Sequence, residues 1–212
     1  MDVRERVRSL MASPKGEDHI DKFLSDVRDS LAVTNRQFIA YEALIIASIV
    51  SYHLVVYEGS AVVSINHLKI SDPTFFRRIF LVFPSALLAA VAAIGYLRRL
   101  QREVYDYVSI SRFRHLGRTG LHELRLPPDY ILGLFVLQTE GGRLGLIVSR
   151  LVAFLAFVSF VMAPVGYVLN EAIKNVIFFG VGDWLCLGAS CVSIVLCACS
   201  LLIVRISGSI KA

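Results

Sequence analysis

Four long apolar stretches constrain this chain more than any other feature of its sequence. They cover residues 38–57, 79–97, 146–169 and 184–204, and each holds 19 to 24 residues with almost no charge. A helix rises about 1.5 Å per residue, so roughly 20 residues cross the hydrocarbon core of a bilayer. The chain is therefore predicted to be an all-α membrane protein with four transmembrane helices.

The composition supports the same class of protein. The 212 residues are 56% hydrophobic and only 18% charged, with a mean hydropathy of +0.64. Soluble domains carry about a quarter charged residues. The net charge of +5 comes from basic residues beside the spans, which favours contact with lipid headgroups and disfavours direct nucleic-acid binding.

The basic residues predict the orientation in the membrane. Lysines and arginines number seven in residues 1–37, nine in residues 98–150 and two after the last span. The two loops on the opposite, outer side hold fewer: three in residues 58–78 and one in residues 170–183. Cytoplasmic segments of membrane proteins carry such an excess of Lys and Arg. Both termini and the long middle loop are therefore expected on the cytoplasmic side.

This orientation divides the chain into three parts. A cytoplasmic amphipathic leader covers residues 1–37, and a short cytoplasmic tail covers residues 206–212. The transmembrane domain at 38–205 lies between them and includes the cytoplasmic loop 98–145.

Shorter elements are predicted near the membrane surfaces. Residues 2–12 and the residues from Asp18 onward place apolar side chains at helical spacing, which is typical of amphipathic helices. Residues 129–138 are too short to span and are predicted to lie in the interface. Residues 61–70, rich in Val and Ile, predict a short extracytoplasmic strand that must pair with a second segment or a sister chain.

Two prolines are expected to interrupt the spans. Pro84 predicts a bend near the outer end of the second span, and Pro164 predicts a break in the outer third of the third span.

Two ionisable side chains within the spans form a predicted pair. Glu42 lies about a turn inside the first span, and Arg150 lies at a matching position in the third. Charges are costly in the membrane unless they are paired, so an intramembrane charge pair Glu42–Arg150 is predicted, within one subunit or across an interface. Arg98 and Arg99, at a similar level on the second span, are rival partners.

The fourth span carries a stripe of small, weakly polar side chains. Spacings of 4, 3, 4 and 3 place them on one face: Cys186, Ser190, Ser193, Cys197 and Ser200. Such a stripe is typical of a helix-packing seam. The alternative is the lining of a pore, because hydroxyl and thiol groups can border a narrow wet path.

No pattern in the sequence indicates an enzyme or a cofactor. The four cysteines all lie in the fourth span and diverge around the helix, which does not match a zinc spacing. His53 is the only histidine in a predicted span, so the paired histidines of a membrane haem protein are missing. We therefore expect a non-enzymatic protein with no catalytic residues, no metal and no cofactor.

The middle loop supplies a candidate binding surface for lipid or for a cytosolic protein. Its basic residues cluster just after the second span: Arg98, Arg99, Arg102, Arg112, Arg114 and Arg118. Lipid headgroups bind such clusters. A docked cytosolic protein is the more specific interpretation.

In size and plan the chain resembles the small four-span membrane subunits of bacterial anti-phage systems, such as the membrane component of Kiwa. The shared features are the four spans, the inward termini and the basic cytoplasmic loop, which together cover most of the length. The resemblance implies a homo-oligomer in the bacterial inner membrane that senses a disturbance and holds a cytosolic effector protein.

Two functions from different classes follow. The first is a homo-oligomeric sensor or scaffold that docks a cytosolic partner through its basic loop, in anti-phage defence. The second is a homo-oligomeric ion channel or pore lined by the first or fourth span. The first is preferred, because no span carries a strongly polar face through the middle of the membrane.

Overall fold

A computed structural model describes residues 16–57, 64–65, 68–69, 73–112 and 142–209. The predicted amphipathic segment 2–12, the interfacial element 129–138 and the last three residues lie outside this part of the chain. So does most of the middle loop.

The described residues form six α-helices and one short hairpin. The helices are α1 (Gly16–Tyr57), α2 (Pro73–Ile79), α3 (Val82–Arg112), α4 (Gly142–Phe157), α5 (Ala163–Phe179) and α6 (Trp184–Ser209). Strands β1 (Ser64–Ile65) and β2 (Leu68–Lys69) form the hairpin. A π-helical turn, Val158–Met162, joins α4 directly to α5.

Four of these helical stretches are long and apolar enough to cross a membrane. They are Ile20–Tyr57, Thr74–Ile110, Gly142–Phe179 and Trp184–Ile206. The prediction of a mainly helical protein with four candidate membrane spans is thereby confirmed.

The helices extend well beyond the predicted spans. Residues 170–183 were expected to form an outer loop, but α5 continues to Phe179 and leaves only a short connection before Trp184. The sequence N-E-A-I-K-N at 170–175 is polar yet contains good helix formers, so nothing in it stops the helix. The helix ends at Gly180, whose φ of +79° few other residues adopt.

The two prolines differ in their effect. The second span is interrupted just before Pro84, in agreement with the predicted bend: the chain turns at Phe80–Leu81, and Pro84 lies in the first turn of α3, where its missing N–H is not needed. Pro164 does not break the third span. The π-helical turn immediately before it accommodates the ring, and the helix continues.

The segment predicted as a single strand contains the small hairpin. β1 and β2 are antiparallel, with Ser64 opposite Lys69 and Ile65 opposite Leu68. The segment therefore pairs with itself, and each strand is only two residues long.

The structure divides into two compact units. The first contains residues 1–37 and 94–154, and the second contains residues 38–93 and 155–212. In the first, the N-terminal part of α1 packs on the C-terminal part of α3 through Leu24, Leu31, Tyr105 and Val108. Gln101 also donates a hydrogen bond of 2.8 Å to the Ser30 hydroxyl.

Two apolar clusters hold the second unit together. One joins α1, α3, α5 and α6 through Ile45, Leu87, Leu88, Val91, Val165, Val168 and Cys197. The other lies around the fully buried ring of Tyr52, with Val55, Phe76, Leu81 and Ala172. This second cluster surrounds the polar side chains described next.

Candidate functional site

A network of buried polar side chains lies in the second unit, near the Tyr57 end of α1. Its centre is on α5, where Glu171 and Asn175 are one helical turn apart and therefore share a face. Glu171 is 1% exposed and Asn175 is fully buried. Burying an ionisable carboxylate is unfavourable unless its oxygens are well paired, so its neighbours define the site.

Glu171 is held by three side chains from two helices. The Tyr57 hydroxyl lies 2.8 Å from Oε2 and 3.0 Å from Oε1. Lys174 Nζ donates to Oε1 at 2.9 Å and to the Tyr57 hydroxyl at 3.3 Å. Asn170 adds a longer contact of 3.4 Å. A charge-assisted pair with further hydrogen bonds is the arrangement in which a buried carboxylate is stable.

Asn175 links three elements of the fold. Its Nδ2 donates to the Tyr52 hydroxyl and to the Arg77 carbonyl, both at 2.9 Å. Its Oδ1 accepts from Arg77 Nε at 2.9 Å. One amide therefore ties α5 to α1 and to both the backbone and the side chain of α2.

The two arginines of α2 also contact the end of α5. The Arg77 guanidinium carbon lies 4.2 Å from the ring centre of Phe178, and that of Arg78 lies 4.9 Å from Phe179. Arg78 Nε forms an ion pair of 2.9 Å with Asp183. Asp183 Oδ1 in turn accepts from the backbone N–H of Cys186, near the start of α6.

Aromatic rings pack around Tyr52 at the buried side of the network, whereas Tyr57 and Lys174 at its other side are exposed. Tyr52 lies close to Phe76 and Phe80, with ring centres 6.2 and 6.1 Å away, and meets the edge of Tyr167 at 6.5 Å. His53 Nδ1 is 3.3 Å from the Tyr167 hydroxyl, and its ring lies 4.8 Å from that of Tyr57. In such apolar surroundings a hydrogen bond is stronger than in water, and a polar group left without its partner costs more free energy.

The hydrogen bonds of the network fix the relative positions of the helices that contribute to it. The Glu171 carboxylate and the Asn175 amide form hydrogen bonds with neighbouring side chains and with the backbone. Among the described residues, no group of three or more His, Cys, Asp or Glu side chains is placed to hold a metal ion. The network locks α1, α2 and α5 together, and the Arg78–Asp183 pair extends it to α6.

The predicted charge pair is divided between the two units. Glu42 lies on α1 in the second unit, and Arg150 lies exposed on α4 in the first. The Glu42–Arg150 contact therefore stays a prediction.

The basic cluster is only partly within the described residues. Arg98 is buried and therefore does not offer an open binding surface. Arg99 pairs with Glu103 one turn later, at 3.0 Å. Arg102 is half-buried on α3. The side chain of Arg112, and all of Arg114 and Arg118, lie outside the described part.

The small-residue stripe of the fourth span faces the interior of the second unit. All five side chains are buried: Cys186, Ser190, Ser193, Cys197 and Ser200. The Ser190 hydroxyl approaches the Ala172 carbonyl of α5 at 3.4 Å. Ser193 and Ser200 donate to carbonyls of their own helix at 2.9 and 2.8 Å. These contacts favour the packing interpretation of the stripe. The other two cysteines of this helix, Cys191 and Cys199, lie off the stripe and are exposed.

Sequence reasoning missed the polar network because it assigned residues 170–175 to a loop. A signal was present in the spacing of Glu171, Lys174 and Asn175, which places them on one side of a helix if the third span continues. The partners on α1 and α2 are more than 90 positions away in the chain, so only the fold identifies them.

Comparison with known proteins adds no family. No family model, curated protein or solved structure matches this chain. The class that the structure itself supports is a helical protein with four helices able to cross a membrane.

Proposed function

We propose that this chain is a non-enzymatic, homo-oligomeric sensor or scaffold of the bacterial inner membrane that docks a cytosolic partner through its basic loop. The same proposal includes a role in anti-phage defence. That role rests on the resemblance in size and plan to the four-span membrane subunits of anti-phage systems. The structural support comes from the position of the charges and from the continuity of two helices.

A charged side chain lies at each end of three of the spans, and the two ends are separated by about the thickness of a bilayer. Arg78 and Arg98 are 20 positions apart, Arg150 and Glu171 are 21 apart, and Asp183 and Arg205 are 22 apart. At about 1.5 Å per residue each interval is roughly 30 Å, the thickness of the hydrocarbon core. We infer that the polar network marks one membrane boundary and the arginines mark the other.

The charges at the two ends of these spans also support an orientation. The boundary marked by Arg98, Arg150 and Arg205 is basic, whereas the network mixes Arg and Lys with Glu and Asp. The excess of basic residues on cytoplasmic segments favours the arginine boundary as the inner one. Both termini and the middle loop then lie in the cytoplasm, and the network lies at the outer surface.

The observation that carries the sensor proposal is the continuity of α1 and α3. α1 holds Tyr52 and Tyr57 of the network at one end and Leu24 and Leu31 of the first unit at the other. α3 likewise runs unbroken from Val82 to Arg112, where the basic cluster continues. Each of these helices contains residues of both units in one uninterrupted element, which supports the proposal that the membrane domain and the docking loop act together.

The proposal is tested by capturing a partner from the native host. Tagged protein is purified from host membranes, and the variant Arg112→Gln, Arg114→Gln, Arg118→Gln is compared with wild type. The control variant, Arg36→Gln, Arg205→Gln, Lys211→Gln, removes the same charge elsewhere. We expect the wild type and the control to retain the same cytosolic protein and the loop variant to lose it. Equal capture by all three would refute docking through the loop.

An ion channel is the alternative function. It predicts conductance from purified protein in planar bilayers under voltage, tension or added ligand. The burial of the α6 stripe gives it no support, since that face packs inside the subunit. Silent bilayers under all three conditions would remove it.

A further inference from the structure

Arg77, in the last turn of α2, has a guanidinium group that is held in place on two sides. Its Nε donates to Oδ1 of the buried Asn175 at 2.9 Å. Its guanidinium carbon lies 4.2 Å from the ring centre of Phe178 and 5.9 Å from that of Phe179, within the range of cation–π attraction. These contacts use one of the five N–H donors of a guanidinium. The four donors on the terminal nitrogens are left for another acceptor, on a group whose plane is already fixed.

The charges around Arg77 do not balance. Arg78 forms an ion pair with Asp183, and Lys174 forms one with Glu171, both at 2.9 Å. Among the residues that the structure describes, no carboxylate lies within ion-pair distance of Arg77. Three cations and two anions leave this group of side chains with a net charge of +1, which Arg77 carries. A half-buried guanidinium of this kind is stabilised when an anion accepts its hydrogen bonds.

The depth of Arg77 in the bilayer indicates which anion is at hand, and for that depth the inference rests on the proposed function. Its neighbour Arg78 is 20 positions from Arg98 across the second span, so α2 lies at the proposed outer boundary of the hydrocarbon core. The phosphate groups of lipids lie just outside that boundary. Arginine suits a phosphate better than lysine does, because its planar fork donates two parallel hydrogen bonds to the phosphate oxygens.

We propose that Arg77 binds the phosphate of an anionic phospholipid in the outer leaflet. Arg78 adds to the positive potential, since its guanidinium carbon lies 4.9 Å from the same Phe179 ring that Arg77 approaches. A lipid with one net negative charge, such as phosphatidylglycerol, matches the net charge of +1. The ammonium group of zwitterionic phosphatidylethanolamine would instead be repelled by the same cations. The site therefore selects by headgroup charge.

Trp184 provides a probe for the lipid at this site. It is the only tryptophan of the chain, it is 81% exposed, and it follows Asp183, the partner of Arg78. The full chain is placed in bilayers that mix phosphatidylglycerol with phosphatidylethanolamine. In one series the first lipid carries bromine atoms on its acyl chains, and in the other series the second does. Bromine quenches tryptophan fluorescence on contact, so the two series give the relative affinity of the lipids beside Trp184.

The wild-type protein should prefer phosphatidylglycerol by roughly fivefold, the effect of one arginine near anionic lipid. The variant Arg77→Gln should lower the ratio to about one, and Arg77→Lys should retain part of the preference. The control Arg205→Gln removes an exposed arginine at the opposite boundary and should leave the ratio unchanged. Equal quenching by the two lipids in the wild type would overturn the proposal, and that comparison needs no variant to fold.

Two further outcomes separate this site from its alternatives. If inorganic phosphate abolishes the preference and sodium chloride of equal ionic strength does not, the site takes soluble phosphate and the lipid assignment is wrong. If neither brominated lipid quenches Trp184, the site lies away from the membrane, which would overturn both the lipid site and the proposed membrane boundary. Equal quenching by both lipids leaves that boundary intact, and neither result depends on a cytosolic partner.

Discussion

The single hydroxyl of Tyr57 lies within hydrogen-bonding distance of both carboxylate oxygens of Glu171, at 2.8 and 3.0 Å. The two residues are 114 positions apart and come from different helices. Since Glu171 is buried, this contact and Lys174 decide whether a charged carboxylate is tolerated at the site.

The variant Tyr57→Phe should destabilise the protein. It removes a donor and leaves a buried carboxylate with fewer partners, which costs about 1–3 kcal/mol. Thermal unfolding in detergent measures the loss. The control is Tyr41→Phe, which removes a hydroxyl from the apolar cluster of the second unit. If both variants unfold at the same temperature, Tyr57 does not stabilise Glu171.

Combining Tyr57→Phe with Glu171→Gln should cost less than the sum of the two single changes. Residues that share a hydrogen bond are coupled, typically by 0.5–3 kcal/mol, roughly the size of the bond itself. The four unfolding free energies of the double-mutant cycle give this coupling. Strict additivity would contradict the pairing.

The variant Asn175→Leu should be among the most damaging conservative changes. The substitution keeps the branched shape and the number of heavy atoms, but it removes the groups that join Tyr52, Arg77 Nε and the Arg77 carbonyl. Each buried group left unpaired costs about 1–3 kcal/mol. The matched change Asn170→Leu, five residues earlier, should cost less, because Asn170 is exposed and makes only the 3.4 Å contact with Glu171. Equal losses of stability would argue against the central role of Asn175.

The four cysteines should divide into two pairs in a thiol-reactivity assay. In protein solubilised in detergent, a small uncharged fluorescent maleimide should label the exposed Cys191 and Cys199 before the two buried cysteines. Cys186 and Cys197 should react only as the protein unfolds, because both are buried. Mass spectrometry of labelled peptides identifies each site. Early labelling of Cys186 or Cys197 would reopen the pore interpretation of the stripe.

Filling the stripe tests the same packing from the other direction. The variant Ser193→Leu inserts a large side chain where the residue is fully buried, and overpacking of this kind costs about 1–3 kcal/mol. The variant Ala198→Leu makes a similar insertion on the exposed face of the same helix and should be tolerated. The unfolding temperatures and gel-filtration profiles of the two variants provide the comparison. Ser193→Leu should unfold at the lower temperature, and the opposite order would contradict the packing interpretation.

The sequence predicted the helical class and the four apolar spans because hydrophobic length is a local property. Helix ends were harder to place. Residues 170–175 include four polar side chains, yet they are helical. Glu171 and Asn175 are buried because Tyr57 and Arg77 from distant elements pair with them. Tertiary partners of this kind override the composition of a short segment. The effect of Pro164 was also misjudged, because a π-helical turn precedes it and the helix continues.

The stripe on α6 could be placed on one helical face from its spacing alone. What that face contacts could not be derived, because the answer lies in Ala172 of α5 and in the apolar cluster that contains Cys197. The burial of Arg98 could not be predicted from the sequence either, because a basic residue just beyond an apolar stretch normally reaches solvent or headgroups.

The uninterrupted course of α1 and α3 imposes a rule on how this protein can vary. Neither helix contains a loop between its two ends that could absorb a change in length. Adding one residue to the middle of α1 would turn Leu24 and Leu31 by about 100° relative to Tyr52 and Tyr57. Each added residue also moves Leu31 by about 1.5 Å along the helix axis, so a change in the length of α1 would preserve its packing on α3 only with a matching change in α3.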